Sequence, residues 1–269
     1  MTRFYVQSGE DYLVWKLLGE GRATPGYYVG VDALDGRRFS NSYAFEQIGW
    51  AGLCVEAHPE YYRQARDNRP RATVVHAACC DRDDQSITFH ANDRGTLSGI
   101  EPMDSATLEA RFSDYFSGYQ RIAVPARRLT TMLDDAGAPA AIDFVSIDVE
   151  GAELNVLRGL DFGRYTPRVL IIEALEAEMS AAVSAYVGRR GYRLARQLAG
   201  NVFFCRTRAD ARRLARQRVD VPLIHTSHAM DHGEAVVIQP DVRPGVISEV
   251  YRRVAERLGR PRTLAGDLS

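Results

Sequence analysis

Long apolar runs, a surplus of charge of one sign and abundant cysteine are all missing from this chain of 269 residues. No apolar run approaches the roughly 18 residues of a membrane span, and the N-terminal residues lack the apolar core of a signal peptide. The formal net charge is -1, so bulk electrostatics provide no attraction to nucleic acid or to an anionic membrane. We therefore expect a cytoplasmic protein that has neither of these partners.

The few cysteines lie in or beside apolar, strand-like segments. Cys79 and Cys80 are adjacent in the chain, which is a poor spacing for a disulfide between them. We interpret these two, together with Cys54 and Cys205, as reduced thiols that mostly pack in the core. Stability must then come from burial, for which a chain of this length is sufficient.

Apolar strand-like segments alternate with helical segments along most of the chain. Strands separated by helices predict a doubly wound, mostly parallel α/β sheet that is covered on both faces. Two late strands, residues 192–198 and 202–206, are predicted to form an antiparallel pair. The other predicted elements include strands Tyr27–Val31, 53–56, 73–78, 86–90, 142–147 and Val169–Glu173, and helices 11–18, Pro59–Asn68, Leu129–Asp135, 152–158 and 177–190.

The character of the sequence changes after Thr207. Residues 208–218 predict a basic helix, residues 219–243 are expected to be irregular, and residues 245–258 have an amphipathic helical pattern. We therefore divide the chain into a domain of residues 1–207 and a C-terminal, partly helical extension of residues 208–269. The extension is long enough to serve as a lid or as a contact in a homo-oligomer.

Residues 27–36, YYVGVDALDG, run from an apolar strand directly into a turn. In an open α/β sheet, ligands bind beyond the carboxyl ends of the strands, at turns of this kind. A glycine usually follows the strand so that the backbone can approach the ligand, but Asp32 occupies that place. Gly30 stands where an acid would be expected. The next helix is predicted to start near Ser40 and Asn41, with its helical pattern over residues 43–48.

Acidic residues end three of the predicted strands. Glu56, about 20 residues after the first turn, could accept hydrogen bonds from a ribose diol, or it could be a solvated acid. Asp148 and Glu150 follow a buried strand in the segment SIDVEGAE, and Glu173 ends the next strand. Such carboxylates can deprotonate or orient a hydroxyl, or bind a hard cation such as Mg²⁺. Glu153 is equally well explained as an acid in the first turn of a helix.

Three shorter segments have open interpretations. In QSGED, Ser8 is expected to be a helix N-cap, with Asp11 completing a capping box. Residues 94–100, RGTLSGI, fit either a turn or a flap over a ligand. His225, His228 and His232 have a spacing that suits a metal site on a helix, although the surrounding residues do not favour one.

Together these segments resemble the FkbM family of S-adenosylmethionine-dependent methyltransferases. The blocks QSGED, GYYVGVDALDGRRFSNSYAFEQIGWAGLCVEAHPE, VPARRL and IDFVSIDVEGAELNVLRGLDF carry the resemblance, in the family's order, over residues 4–207. The resemblance implies a class I methyltransferase fold, with a seven-stranded sheet whose last strand is antiparallel. It also implies methyl transfer, most often to a hydroxyl of a sugar, a polyketide or another small metabolite.

The resemblance also implies roles for individual residues. The 27–36 turn, with Gly30 and Asp32, would bind the methionine end of the cofactor. The other implied cofactor contacts are Ser8 and Gly9 from the N-terminal segment, Asp35, Ser40 and Asn41 along the cleft, Glu56 with Ala57 at the ribose, and Ala78 with Cys79 at the adenine. Asp148 and Glu150 would face the methyl group and the acceptor, with Glu173 nearby.

The first turn departs from the family's usual pattern, V-E-V-G-A, because this chain has V-G-V-D-A at positions 29–33. A glycine there can adopt a positive φ at little cost, whereas an aspartate pays a steric penalty and adds a negative charge. Two functions follow from this observation. The chain is an active O-methyltransferase in which Asp32 is accommodated, or it is a methyltransferase-like binding or scaffold protein whose donor site is impaired.

Overall fold

The computed structural model describes residues 3–6, 8–92, 97–100, 116, 118–219, 223–225 and 236–238. The helices are α1 (Glu10–Leu18), α2 (Tyr43–Gln47), α3 (Pro59–Asn68), α4 (Leu129–Asp135), α5 (Glu153–Arg158), α6 (Ala177–Gly188) and α7 (Arg208–Arg216). The strands are β1 (Tyr27–Val31), β2 (Ala51–Glu56), β3 (Ala72–His76), β4 (Ala78–Cys80), β5 (Asp84–Ala91), β6 (Gln120–Arg128), β7 (Phe144–Ile147), β8 (Val169–Glu173), β9 (Arg193–Leu198), β10 (Asn201–Cys205), β11 (Leu223–His225) and β12 (Val236–Ile238).

A seven-stranded sheet in the order β3-β2-β1-β7-β8-β10-β9 forms the centre of the fold. β1 is parallel to β2 and β7, and β10 is antiparallel to both of its neighbours. This topology is the class I methyltransferase fold that the sequence predicted. Val31 lies in register with Val55 and with Ile147, so the residues that follow these three strands meet at one edge of the sheet.

Apolar side chains cover both faces of this sheet. Val29 and Val31 point to one face, where they pack with residues of α4, α5 and α6, whereas Tyr28 points to the other face, towards α1, α2 and α7. The first four residues of β8 are fully buried, as expected for a central parallel strand. Each such aliphatic side chain contributes about 1.5–3 kcal/mol through burial.

A second, three-stranded sheet in the order β4-β6-β5 flanks the first. The single strand predicted over residues 73–78 is therefore wrong in its extent. β3 ends at His76, the N–H of Ala77 donates to the carbonyl of Glu56, and Ala78 begins β4, which pairs with β6. The apolar run could not reveal this change of partner, because both halves are strand-like and only long-range pairing separates them.

The first helix of the extension packs against the central fold. Ala211 and Leu214 of α7 are buried in the same apolar cluster as α1, and Arg168 binds Asp210 through two hydrogen bonds of 2.8 and 2.9 Å. The division at Thr207 stays a prediction. No helix in the described part of the chain has the length and apolarity needed to cross a membrane.

Part of the extension that was expected to be irregular forms a short antiparallel pair, β11 with β12. The sequences LIH and VVI are rich in residues that favour strands. The amphipathic segment 245–258 lies outside the described residues, as do His228 and His232, so their predicted roles are not tested.

Candidate functional site

The turn after β1 holds three residues at positive φ: Asp32 at 67°, Leu34 at 49° and Gly36 at 84°. The N–H groups of Asp32 and Ala33 both donate to the carbonyl of Val55, at 3.0 Å, which fixes the turn against β2. The backbone at position 32 therefore has the left-handed conformation that glycine adopts most easily. A non-glycine residue held there costs on the order of 1–3 kcal/mol.

Asp32 shares a hydrogen bond with Glu56, the acid that ends β2. Glu56 is 2% exposed, and its carboxylate also accepts the N–H groups of Leu34 and His58, both at 2.7 Å. Burial raises the pKa of Glu56 to about 7. Burial and the neighbouring acids, Glu56 first, raise the pKa of Asp32 well above its usual range. In the hydrogen bond between them, the Asp32 hydroxyl therefore donates and the Glu56 carboxylate accepts.

A buried arginine, Arg69, binds the later part of this loop, residues 36–42. The Arg69 side chain is fully buried and pairs with Glu46, with an Nε–Oε2 distance of 2.6 Å. Its guanidinium also donates to the Gly36 carbonyl (2.7 Å), to Ser40 Oγ (3.1 Å) and to Ser42 Oγ (2.9 Å). Sequence reasoning missed this network, since an arginine just after a helix, in the sequence NRPR, is typical of the protein surface.

The predicted cleft residues after the turn have local roles in the structure. Asp35 accepts the N–H groups of Arg37 and Arg38, each at 2.8 Å, and Ser40 Oγ accepts the N–H of Tyr43 at 3.1 Å. The next helix, predicted over residues 43–48, spans Tyr43–Gln47, and the Ser40 side chain bonds to the backbone ahead of it.

Asn41 has an unsatisfied polar atom. Its amide nitrogen donates to Ser146 Oγ at 3.0 Å, but its amide oxygen is buried and has no partner among the described residues. Ser146 lies in register with Gly30, so Asn41 stands beside the position where the family pattern has an acid. An orphaned buried acceptor costs about 1–3 kcal/mol, and a ligand N–H would satisfy it.

Three carboxyl groups meet at the ends of β7 and β8. Oxygen atoms of Asp148, Glu150 and Glu173 lie within 4.8 Å of one another, as the sequence predicted for this edge. Burial and then the neighbouring Asp148 raise the pKa of Glu150, to about 8, and that of Glu173, well above its usual range. Glu173 hydrogen-bonds to Asp148, which opposes the effect of burial on the pKa of Asp148. Burial also raises the pKa of Asp148, and in the hydrogen bond between the two groups Glu173 donates and Asp148 accepts.

Glu153, in contrast, hydrogen-bonds to nearby backbone N–H groups. Its carboxylate is buried and accepts the N–H groups of Val149 (3.3 Å) and Gly151 (3.0 Å). Of the two interpretations open from the sequence, these contacts favour the structural one.

The N-terminal segment reaches the same edge, but not through a capping box. Gly9, at φ 87°, is the N-cap of α1, and no side chain caps the helix. Asp11 instead accepts the N–H groups of Tyr5 (2.6 Å) and Tyr12 (2.8 Å), so the predicted pairing of Ser8 with Asp11 is wrong. The left-handed Gly9 stands between Ser8 and the helix.

Glu10 is a site residue that sequence reasoning missed. Its carboxylate accepts the Ser8 N–H at 3.2 Å and the Asn201 side chain at 3.3 Å. Burial raises the pKa of Glu10 to about 7, with a smaller effect from Asp148. Glu10 could have been found as the one acid of QSGED that was left without a role.

An apolar pocket opens beside Asp32. Ala57, Ala78 and Cys79, three of the residues assigned to the cofactor, line it together with Phe89 and Ile100. Burial raises the pKa of the Cys79 thiol far above its usual value, so Cys79 is a neutral wall residue. Small apolar walls with a few polar groups at the rim suit a flat aromatic ring.

Comparisons with known proteins agree with this geometry. The model of a family described as the methyltransferase FkbM domain matches residues 30–194, more than half of the chain. No curated protein matches the chain.

Solved methyltransferase structures also match. A precorrin-6y C5,15-methyltransferase from Geobacter metallireducens is 12% identical over 72% of this chain and 84% of that one, with a TM-score of 0.39. A ribosomal protein L11 methylase from Lactobacillus delbrueckii is 8% identical over 71% and 74%, with a TM-score of 0.40. A SAM-dependent methyltransferase from Aquifex aeolicus is 11% identical over 74% and 90%, with a TM-score of 0.36.

Proposed function

Because the chain belongs to the FkbM methyltransferase family, we propose that it is an S-adenosylmethionine-dependent O-methyltransferase that acts on a hydroxyl of a sugar or natural-product small molecule. The observation that carries the proposal is the position of Asp148. Its carboxyl group lies at the acid edge of the sheet, hydrogen-bonded to Glu173, and Val149, the next residue, lines the apolar pocket.

The residues present fit the cofactor. The pocket beside Ala57, Ala78 and Cys79 suits its adenine. Glu56, which lies between the lining residues Val55 and Ala57 in the chain, is the acid proposed to bind the ribose. Asn41, with its unpaired amide oxygen, offers an acceptor to the ammonium of the methionine end. Ser8, Gly9, Gly30, Asp35 and Ser40 complete the proposed contacts along the cleft. The bound cofactor would supply an activated methyl group on a sulfonium.

The chain's own residues would align the acceptor and remove its proton. Asp148 takes the hydroxyl proton as the oxygen attacks, and Glu173 orients Asp148 through the hydrogen bond that it donates. Alignment of the two reactants supplies most of the remaining rate enhancement. Neither step requires the protein to form a covalent bond with the substrate.

The proposal also includes a Mg²⁺ ion that would bind near the acceptor hydroxyl and help to activate it. The Asp148, Glu150 and Glu173 oxygens are the ligand type that Mg²⁺ prefers, and a cation there would lower the pKa of the acceptor hydroxyl. Turnover with and without a chelator tests this part separately. Unchanged turnover in the presence of the chelator would exclude it.

The test of the main proposal is product formation. The purified chain is incubated with S-adenosylmethionine and a panel of sugar and polyketide alcohols, and S-adenosylhomocysteine is measured. Acceptor-dependent product formed by the natural chain, and lost in Asp148→Asn, supports an O-methyltransferase. If only amines or thiols are methylated, the O-methyl assignment fails.

One observation favours a second function, that of a binding or scaffold protein with an impaired donor site. The Asp32 carboxyl group already hydrogen-bonds to Glu56. The hydroxyl groups of a ribose would therefore compete with Asp32 for the Glu56 carboxylate. Absence of cofactor binding by the natural chain, together with binding restored by changes in the turn, would favour this function.

A further inference from the structure

Residues 97–100 form one wall of the apolar pocket. Ser98, Gly99 and Ile100 all line it. Two contacts attach this wall to β5 and the residue after it. Gly99 exchanges both backbone hydrogen bonds with His90, at 2.9 and 3.1 Å, and Ser98 Oγ accepts the Asn92 N–H at 2.9 Å.

A third contact attaches the wall to the acid edge of the central sheet. The N–H of Leu97 donates to Oε1 of Glu150 at 3.2 Å. The donor pocket and the acid edge are therefore linked through one side chain. Both partners have strained backbones, with φ of 63° at Leu97 and 55° at Glu150, and strain of this kind persists only where the surroundings hold it.

We propose that Glu150 is a positioning residue for the donor pocket, which holds residues 97–100 against the nucleoside through its hydrogen bond to the Leu97 N–H. The inference rests on the proposed function, because it takes the nucleoside of the cofactor as the occupant. It replaces the base role for Glu150 that the sequence suggested, and it leaves Asp148 as the base.

The hydrogen bond needs an acceptor oxygen rather than a charge. A carboxylate, a neutral carboxyl group and an amide all present one. The length of the side chain at position 150, in contrast, is critical. A side chain one methylene shorter cannot place its oxygen within hydrogen-bonding distance of the Leu97 N–H.

Three variants separate these properties. Glu150→Gln keeps an acceptor oxygen and the length of the side chain, Glu150→Asp keeps the carboxyl group but is shorter, and Glu150→Ala loses both the acceptor and the length. Calorimetry with S-adenosylhomocysteine and with adenosine alone should give affinities within about twofold of the natural chain for the Gln variant. The Asp and Ala variants should bind both ligands about 3- to 10-fold more weakly, as expected for one lost hydrogen bond.

The matched control is Glu173→Ala, which removes a carboxyl group from the same cluster but not the contact with Leu97. Its adenosine affinity should stay near that of the natural chain. Equal weakening in Glu150→Ala and Glu173→Ala, or an Ala variant at position 150 that binds like the natural chain, would overturn the proposal. So would a Gln variant as weak as the Ala variant.

A measurement without ligand keeps this inference distinct from the proposed function. Amide hydrogen exchange over residues 97–100 should be as slow in Glu150→Gln as in the natural chain, and faster in Glu150→Ala. Equal exchange in all three proteins would overturn the positioning role. If the three proteins show this exchange pattern but the natural chain binds neither ligand, the cofactor assignment is refuted. The role of Glu150 in holding residues 97–100 would then still stand.

Discussion

At position 32, an aspartate occupies a left-handed backbone position that favours glycine, and its carboxyl group bonds to Glu56. The sequence indicated that Asp32 is strained there, because the family pattern has a glycine at this position and glycine adopts a positive φ at little cost. The contact with Glu56 could not be predicted, because the two residues are 24 positions apart and meet only when β1 and β2 pair.

Changes at this turn test whether Asp32 competes with the cofactor. We expect Asp32→Gly combined with Gly30→Glu to raise the affinity for S-adenosylhomocysteine about fivefold or more, because it frees Glu56 and relieves strain of about 1–3 kcal/mol. The first carbon of the new side chain has room, since a Cβ at position 30 would meet only Ser42 Oγ, at 3.5 Å. Calorimetric titration measures the change.

Gly30→Glu alone is the matched control, because it keeps Asp32 in the turn and should give no such gain. Unchanged or weaker binding by the double variant would mean that Asp32 contributes to the donor site rather than competing with it.

Asp148 is the residue on which the chemistry depends. Asp148→Asn preserves the shape and removes the proton acceptor, so kcat should fall by about 10²- to 10⁴-fold, with little change in the affinity for the cofactor. Steady-state kinetics and calorimetry report the two quantities separately. Loss of both by the same factor would contradict the assignment of Asp148 as the base.

At the scale of elements, Arg69 at the end of α3 donates to residues 36, 40 and 42 of the loop between β1 and α2. Arg69 also pairs with Glu46 of α2, and both side chains are buried. Breaking a buried pair on one side leaves an uncompensated charge, which costs about 3–5 kcal/mol. We therefore expect Arg69→Met to lower the free energy of unfolding by about that amount, as measured by urea denaturation.

A second arginine–glutamate pair serves as the control. Arg63 and Glu60 of α3 are also paired, but their side chains are 61% and 51% exposed, and exposed pairs contribute little. Arg63→Met should leave the unfolding transition almost unchanged. An equally stable Arg69→Met would show that the buried network does not hold the loop.

Element bounds were predicted well where local pattern decides them. The strand Val169–Glu173 and the helices Pro59–Asn68 and Leu129–Asp135 begin and end as predicted, because apolar runs and a proline in the first turn are local signals. The capping of α1 and the partner of Ala78 were predicted wrongly. The capping of α1 depends on a single left-handed glycine, Gly9. The partner of Ala78 depends on pairing with β6, which is distant in sequence.

At the scale of the whole molecule, folding places many acids in a poorly solvated cleft. Burial raises the pKa values of Glu10 and Glu56 to about 7, from an ordinary value of 4.5. The folded state thus binds more protons than the unfolded state between these values. Stability from these groups is complete below about pH 4.5 and is lost as the pH rises through 7.

We therefore expect the free energy of unfolding to fall between pH 5 and pH 8, by an amount on the order of 1–3 kcal/mol. Urea denaturation at several pH values measures it. Glu56→Gln cannot titrate at this position and should show a weaker pH dependence. A stability that rises steadily over this range would contradict the burial of these acids in their neutral form.

The role of residues 208–269 as a lid or as a homo-oligomer contact is likewise a whole-molecule proposal. The described helix α7 packs on the fold, so the natural chain, not a truncated one, is the proper sample for solution measurements.

The most direct test of the central claim is calorimetric titration of the natural chain with S-adenosylmethionine and S-adenosylhomocysteine, with and without Mg²⁺. A methyltransferase that accommodates Asp32 should bind both in the micromolar range. No binding up to millimolar concentrations would contradict an intact donor site, and would make the impaired-site function the better explanation of this fold.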